Sequence, residues 1–165
     1  MDYTSHYDSP LGGITMASDG TALVGLWFDG QKYFADTLDR EHQEKHDLDV
    51  FTDTRRWLDT YFCGKAPVFT PTLMMRAGKF RKAVWELLLT IPFGHTMSYG
   101  DIARRLAEAQ GLETMSAQAI GGAVGHNSIS LIIPCHRVIG ANGSLRGYAG
   151  GIDKKRRLLQ MEGVI

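Results

Sequence analysis

The sequence predicts an α+β protein: a small β-sheet with one helix over residues 1–70, then a mainly helical part over residues 71–165. Three observations carry this reading. Strand-forming runs are confined to the first thirty residues, apolar residues recur at helical spacing from Leu48 onward, and the charge changes sign near residue 70. Residues 1–70 hold 6 Lys+Arg against 12 Asp+Glu, whereas residues 71–165 hold 12 against 6, so a net charge of zero conceals halves of −6 and +6. A basic half can neutralise phosphates while the acidic half faces away.

The elements follow in order. Gly13-Ile-Thr-Met-Ala-Ser ends at the Asp19-Gly20 turn, and Leu23-Val-Gly-Leu-Trp-Phe is rich in strand formers. Residues 29–47 are polar and charged, which predicts a loop or a loose helix. Leu48, Phe51, Leu58, Tyr61 and Phe62 share one helical face that Gly64 ends, and Pro67 and Pro71 mark a crossing stretch. Phe80, Val84, Leu87, Leu88 and Ile91 form the next stripe, stopped by Pro92 and Gly94. Ser98 reads as an N-cap with Asp101 three residues on, opening a helix to about Ala109, and Ser116 caps a short helix running through Val124. Two short helices joined by a Gly-containing connector fit a helix-turn-helix. The second is nearly bare, with Ala117, Ala119, Gly121, Gly122, Ala123 and Gly125. Glycine inside a helix costs about 1 kcal/mol relative to alanine. That cost is consistent either with close packing on another helix or with a thin helix pressed into a groove.

Composition excludes several classes. No apolar run approaches the roughly 18–20 residues that span a bilayer, and Met1-Asp-Tyr-Thr-Ser-His carries no signal-peptide pattern. A cytoplasmic monomer without a membrane partner is the expectation. Cys63 and Cys135 are too few for a disulfide framework. His42 and His46 lie four apart in an acidic, hydrophilic segment, which reads as a solvated face, so neither a metal nor a cofactor is expected.

Chemistry concentrates at Leu131-Ile-Ile-Pro-Cys-His-Arg-Val-Ile. This reads as an apolar strand that Pro134 interrupts, leaving Cys135 and His136 where pairing stops and a side chain can be exposed. His136 or a nearby arginine could hold Cys135 as thiolate, the form that attacks electrophiles. Cys63, on the aromatic helix and without an adjacent base, reads as a buried, inert thiol. Beyond lies Gly140-Ala-Asn-Gly-Ser-Leu-Arg-Gly-Tyr-Ala-Gly-Gly, with a turn at Asn142-Gly143 and a backbone able to approach a flat ligand, followed by a basic helix from Asp153 to near Glu162.

Taken together, Pro134-Cys-His-Arg-Val, Ile91-Pro-Phe-Gly, Ser98-Tyr-Gly-Asp-Ile-Ala, Ala119-Ile-Gly-Gly-Ala-Val-Gly-His-Asn, Gly147-Tyr-Ala-Gly-Gly and Leu158-Leu-Gln-Met-Glu-Gly resemble the O6-methylguanine-DNA methyltransferases over residues 72–163. Ser9-Pro-Leu-Gly-Gly and Tyr61-Phe-Cys-Gly-Lys match more loosely. The resemblance implies a ribonuclease H-like first domain and a winged-helix-like second one. The latter would bind double-stranded DNA holding O6-alkylguanine, flip the damaged base out, and transfer its alkyl group irreversibly to Cys135, with no cofactor. O4-methylthymine is a further candidate substrate. It implies His136 as base through a bound water, Glu162 orienting His136, Tyr99 rotating the nucleotide and protonating the leaving guanine, and Asn127 bracing the active-site turn. The carbonyls of Cys135 and Val138, the loop at Tyr148 and Ala149, and Lys155 would form the base pocket. Ser116, Gln118, Ala119, Gly122, Gly125 and Arg137 would face DNA. Gln118 stands where an arginine is common and Ser128 where a proline is common. A lesion sensor of the same fold lacks the reactive cysteine, a plain helix-turn-helix regulator does not need Pro134-Cys-His-Arg, and a Cys-His hydrolase turns over repeatedly.

Overall fold

The computed structural model describes residues 1–165, which divide into two compact units: Met1–Arg76 with Ser128–Ser130, and Ala77–Asn127 with Leu131–Ile165.

In the first unit, β1 (Asp2–Ser9), β2 (Gly12–Ser18) and β3 (Leu23–Phe28) form antiparallel neighbours, and β4 (His42–Glu44) pairs parallel with β1, giving the order β3-β2-β1-β4. The β1–β2 hairpin is tied by Ser9, whose hydroxyl donates to Gly12 O at 2.6 Å and accepts from Leu11 N at 3.1 Å. At the next turn the Asp19 carboxylate accepts from the backbone N–H groups of Thr21 and Ala22, both at 2.9 Å. Every residue of β3 is buried, as its unbroken apolar run requires. The outer edge of β3 is covered: Leu23 exchanges hydrogen bonds with Thr72 and Met74, and Leu26 with Ser128 and Ser130, all at 2.8–2.9 Å. Thus residues 72–76 belong to this unit, and Arg76 closes it with a two-pronged ion pair to Asp2. Helix α1 (Asp49–Phe62) buries Phe51, Leu58 and Tyr61 of the expected face, together with Val50, Thr54 and Trp57, while Leu48 and Phe62 are half-buried. Truncating a residue such as Leu58 to alanine costs about 2–5 kcal/mol. The 29–47 segment is a loop of turns, one of the two forms expected, except for the three-residue β4, which forms because β1 offers a free edge that pairs with His42–Glu44. Cys63 departs from expectation. It follows the last turn of α1 and is exposed rather than buried.

The second unit packs α2 (Lys79–Leu88), α3 (Tyr99–Ala109), α4 (Ala117–Gly125) and α5 (Ile152–Met161) with the two-stranded parallel pair β5 (Met97–Ser98) and β6 (Val138–Ile139). Ser98 and Asp101 form the reciprocal capping box, and the Ser116 hydroxyl caps α4 by accepting from Ala119 N at 3.2 Å. Trp85 of α2 donates its indole N–H to Ala123 O at 2.8 Å, fixing α4 from behind. No helix is long and apolar enough to cross a membrane.

Candidate active site

Leu131–Ile133 is not the expected strand. Leu131 has φ +71°, Asn127 Nδ2 donates to Ile133 O at 2.7 Å, and the resulting turn leads into a short 3-10 helix, Cys135–Arg137. Extended pairing resumes only at β6, beside β5. Since β5 runs directly into the capped start of α3, this pairing places Tyr99 at the end of the strand that lies beside β6, the strand that follows Cys135–Arg137. Asn127 therefore sits where bracing of the turn was expected.

Cys135 is not an exposed side chain at a strand end but 5% exposed, on the inside of the 3-10 turn. Burial pushes its thiol pKa up, while a hydrogen bond from Asn127 and the charge of Lys155 pull it down. Lys155, buried on α5, donates to the carbonyls of Val138 (2.5 Å), Arg146 (2.6 Å) and Gly147 (3.3 Å), tying the glycine-rich loop to β6. Burial lowers its pKa to about 8. In this state Val138 O is thus occupied by Lys155.

Behind Cys135 stands a buried polar chain. His136 Nε2 lies 2.6 Å from Glu162 Oε2. Arg137 donates to the same carboxylate from Nε (2.8 Å) and Nη2 (3.2 Å), and Gly94 N donates to Oε1 at 2.9 Å. Desolvation acts against ionisation of Glu162, but the His136 and Arg137 partners outweigh it and hold the pKa at about 2. An ionised carboxylate only accepts, so Nε2 of His136 carries the proton and Nδ1 keeps its lone pair. Burial lowers the His136 pKa, and Arg137 has already balanced the Glu162 charge, so the imidazole is neutral.

Arg137 was expected on the DNA face and is not there. It is buried, its Nη1 donates to Ile91 O at 2.8 Å, and its guanidinium lies 5.9 Å from the Phe93 ring centroid. It fixes Glu162 instead, and no local sequence pattern separates an arginine aimed inward from one aimed outward. Gly94 was read only as a helix stop. Its left-handed backbone (φ +82°) turns its N–H toward a carboxylate 68 residues away, a pairing with no signal in sequence.

Tyr99 is half-buried, and desolvation raises its phenol pKa, so it stays a proton donor. Its hydroxyl points at Arg146 O, 3.5 Å away. Tyr148 and Ala149 are half-buried, and the Tyr148 ring meets His136 edge-on at 6.4 Å. A cleft of about 340 Å³ is lined by Tyr99, Ala117, Gln118, Gly121, Arg146 and Gly147. Along α4, Ser116, Gln118, Ala119 and Gly122 are exposed and Gly125 is half-buried. A Cβ built on Gly121, Gly122 or Gly125 would meet nothing within 4 Å. The three glycines therefore do not serve packing inside the protein: Ile120, Ala123 and Val124 do that, and the glycines leave an open, low face. In the other unit, His42 Nδ1 meets Asp39 O (2.8 Å) and His46 Nδ1 meets Ser5 Oγ (2.7 Å).

Comparison with known proteins places this geometry. The family model for the DNA-binding domain of 6-O-methylguanine DNA methyltransferase matches residues 79–164, and that for the ribonuclease-like domain of the same enzyme matches residues 3–73. The methylated-DNA–protein-cysteine methyltransferase of Mycobacterium tuberculosis is 44% identical over 160 residues, covering 95% of this chain and 92% of its own. That of Methanosarcina acetivorans is 37% identical over 163 residues, 98% of each chain. Among solved structures, Mycobacterium tuberculosis OGT in complex with DNA superposes with a TM-score of 0.83 at 40% identity, over 97% of this chain and 92% of that one. An O6-methylguanine DNA methyltransferase from Methanococcus jannaschii does so at 0.64 and 28%, over 98% and 94%. The chain belongs to the 6-O-methylguanine DNA methyltransferase family.

Proposed function

We propose that this protein repairs DNA by taking the methyl group from O6-methylguanine, with O4-methylthymine as a second substrate, and keeping it on Cys135. It acts as a cytoplasmic monomer on double-stranded DNA. The observation that carries the reading is the buried His136–Glu162 pair, with His136 next in the chain to the buried Cys135, and Tyr99 on the wall of an open cleft.

The exposed face of α4 lies against the groove, and the damaged nucleotide leaves the stack, because its methyl carbon is out of reach inside a duplex. Neutral His136 takes the Cys135 proton on Nδ1 through a bound water, and the imidazolium is stabilised by ionised Glu162. The sulfur lone pair forms the S–C bond as the C–O6 bond breaks, and the electron pair stays on guanine. Tyr99 gives its phenolic proton to the guanine oxygen and is reprotonated from the imidazolium. The products are unmodified guanine and S-methylcysteine. A thioether has no ready leaving path, so each chain acts once. Asn127 holds the turn, Lys155 supports the thiolate and the loop, and Tyr148 and Ala149 close on the base.

A duplex carrying labelled O6-methylguanine tests this. Label on the protein should plateau at one methyl per chain and vanish in Cys135→Ser. Turnover beyond one equivalent would point to a hydrolase, and binding with no transfer to a lesion sensor.

A further inference from the structure

We infer that Arg146 is the cation that grips a DNA phosphate at the mouth of the active-site cleft. The inference rests on the proposed function and adds to it the ligand of one residue. Of the six residues lining the cleft, Arg146 alone is charged. Helix α4, which supplies three of them, has no charged side chain from Ala117 to Gly125. An open face of alanine and glycine permits close approach to a polyanion but supplies nothing to hold it.

Arg146 is built to fill that gap. Its backbone is fixed from two sides, by Lys155 Nζ at 2.6 Å and the Tyr99 hydroxyl at 3.5 Å, both on its carbonyl. The side chain is exposed and makes no hydrogen bond or ion pair within the chain. Its stem crosses Gly140, where an added Cβ would come within 3.4 Å of Nε. On α3, Arg104 is engaged with Asp101, and Arg105 does not line the cleft. A guanidinium on a pinned backbone, at the rim of a cleft walled by a phenol, meets the phosphodiester of a nucleotide that swings in. This also gives a reason why an uncharged Gln118 suffices on α4.

The test is equilibrium binding of an unmodified duplex and of an O6-methylguanine duplex at several salt concentrations, with wild type, Arg146→Gln and Arg146→Lys. Arg146→Gln should weaken low-salt binding on the order of tenfold and reduce the steepness of the log K against log salt line by about 0.9, one phosphate contact. Arg146→Lys should keep the slope. An unchanged slope in Arg146→Gln overturns the inference. So does Arg146→Lys failing as badly as Arg146→Gln, which would mean planar stacking on a base. On the unmodified duplex binding is read without transfer, so failure of wild type to methylate Cys135 would sink the proposed function and leave the Arg146 result standing or falling by itself.

Discussion

Each unit buries one carboxylate against an arginine fork, and the two sites differ in a single partner. In the first, Asp2 accepts from Arg76 Nη1 (2.6 Å) and Nη2 (2.8 Å) and from Asp39 N (2.8 Å). In the second, Glu162 accepts from Arg137 Nε (2.8 Å) and Nη2 (3.2 Å) and from Gly94 N (2.9 Å), and then also from His136. Both carboxylates are held below their ordinary pKa, the Arg76 hydrogen bond being the main cause for Asp2. A buried ion pair alone is weak evidence for anything beyond structure. What sets the second pair apart is an imidazole with one nitrogen tied to the carboxylate, one residue from a cysteine, and the proposed chemistry rests on it.

That contrast can be broken by mutation. Glu162→Gln should slow methyl transfer from a methylated duplex by on the order of 100-fold or more, since general-base catalysis contributes about 10²–10⁴. The matching Asp2→Asn should leave the single-turnover rate unchanged while lowering stability by roughly 2–3 kcal/mol in urea unfolding, because Arg76 keeps some solvent contact. Equal rate losses in both would mean that the carboxylates serve only folding.

The two sites also differ in acid. Burial holds the His136 pKa below 6.5 in the folded chain, whereas an unfolded histidine takes up a proton as pH falls through 6.5, so stability begins to fall there. The Glu162 contribution is complete above 4.5 and is lost between about 4.5 and about 2. Asp2 contributes only a loss below 3.8. Urea midpoints of wild type should therefore begin to decline near pH 6.5. His136→Gln should flatten the stretch from 6.5 to 4.5, and Asp2→Asn should not. The smallest effect is expected at Ser116→Ala, which removes the α4 cap and should cost about 1 kcal/mol, read as faster hydrogen exchange in Ala117–Gly125.

Local rules made much of this legible. The Ser98–Asp101 box and the Ser116 cap follow from capping chemistry within four residues, and the structure has them; the apolar stripes of α1 and α2 hold in part, with Phe51, Leu58, Tyr61, Val84 and Leu88 buried as expected, Leu48, Phe62, Phe80 and Leu87 only half-buried, and Trp57 and Trp85 buried outside the expected set. The Pro134-Cys-His-Arg segment announced its residues but not its shape. Leu131 at positive φ and the Asn127 bond to Ile133 replaced the strand with turns, and the thiol went inside. Arg137, Gly94 and β4 were hidden for a common reason: each is defined by a partner 25 or more residues away, and no periodicity records that. The two cysteines were misread in opposite directions, because an exposed helix end and a covered turn are settled by tertiary packing.

Those two thiols offer the most direct measurement. Cys63 is exposed and Cys135 is buried, so accessibility alone favours Cys63, whereas the His136–Glu162 chain favours Cys135. Peptide mapping by mass spectrometry after reaction with an O6-methylguanine duplex should find one added methyl on the peptide holding Cys135 and none on that holding Cys63. A methyl on Cys63, or on neither, would contradict the account.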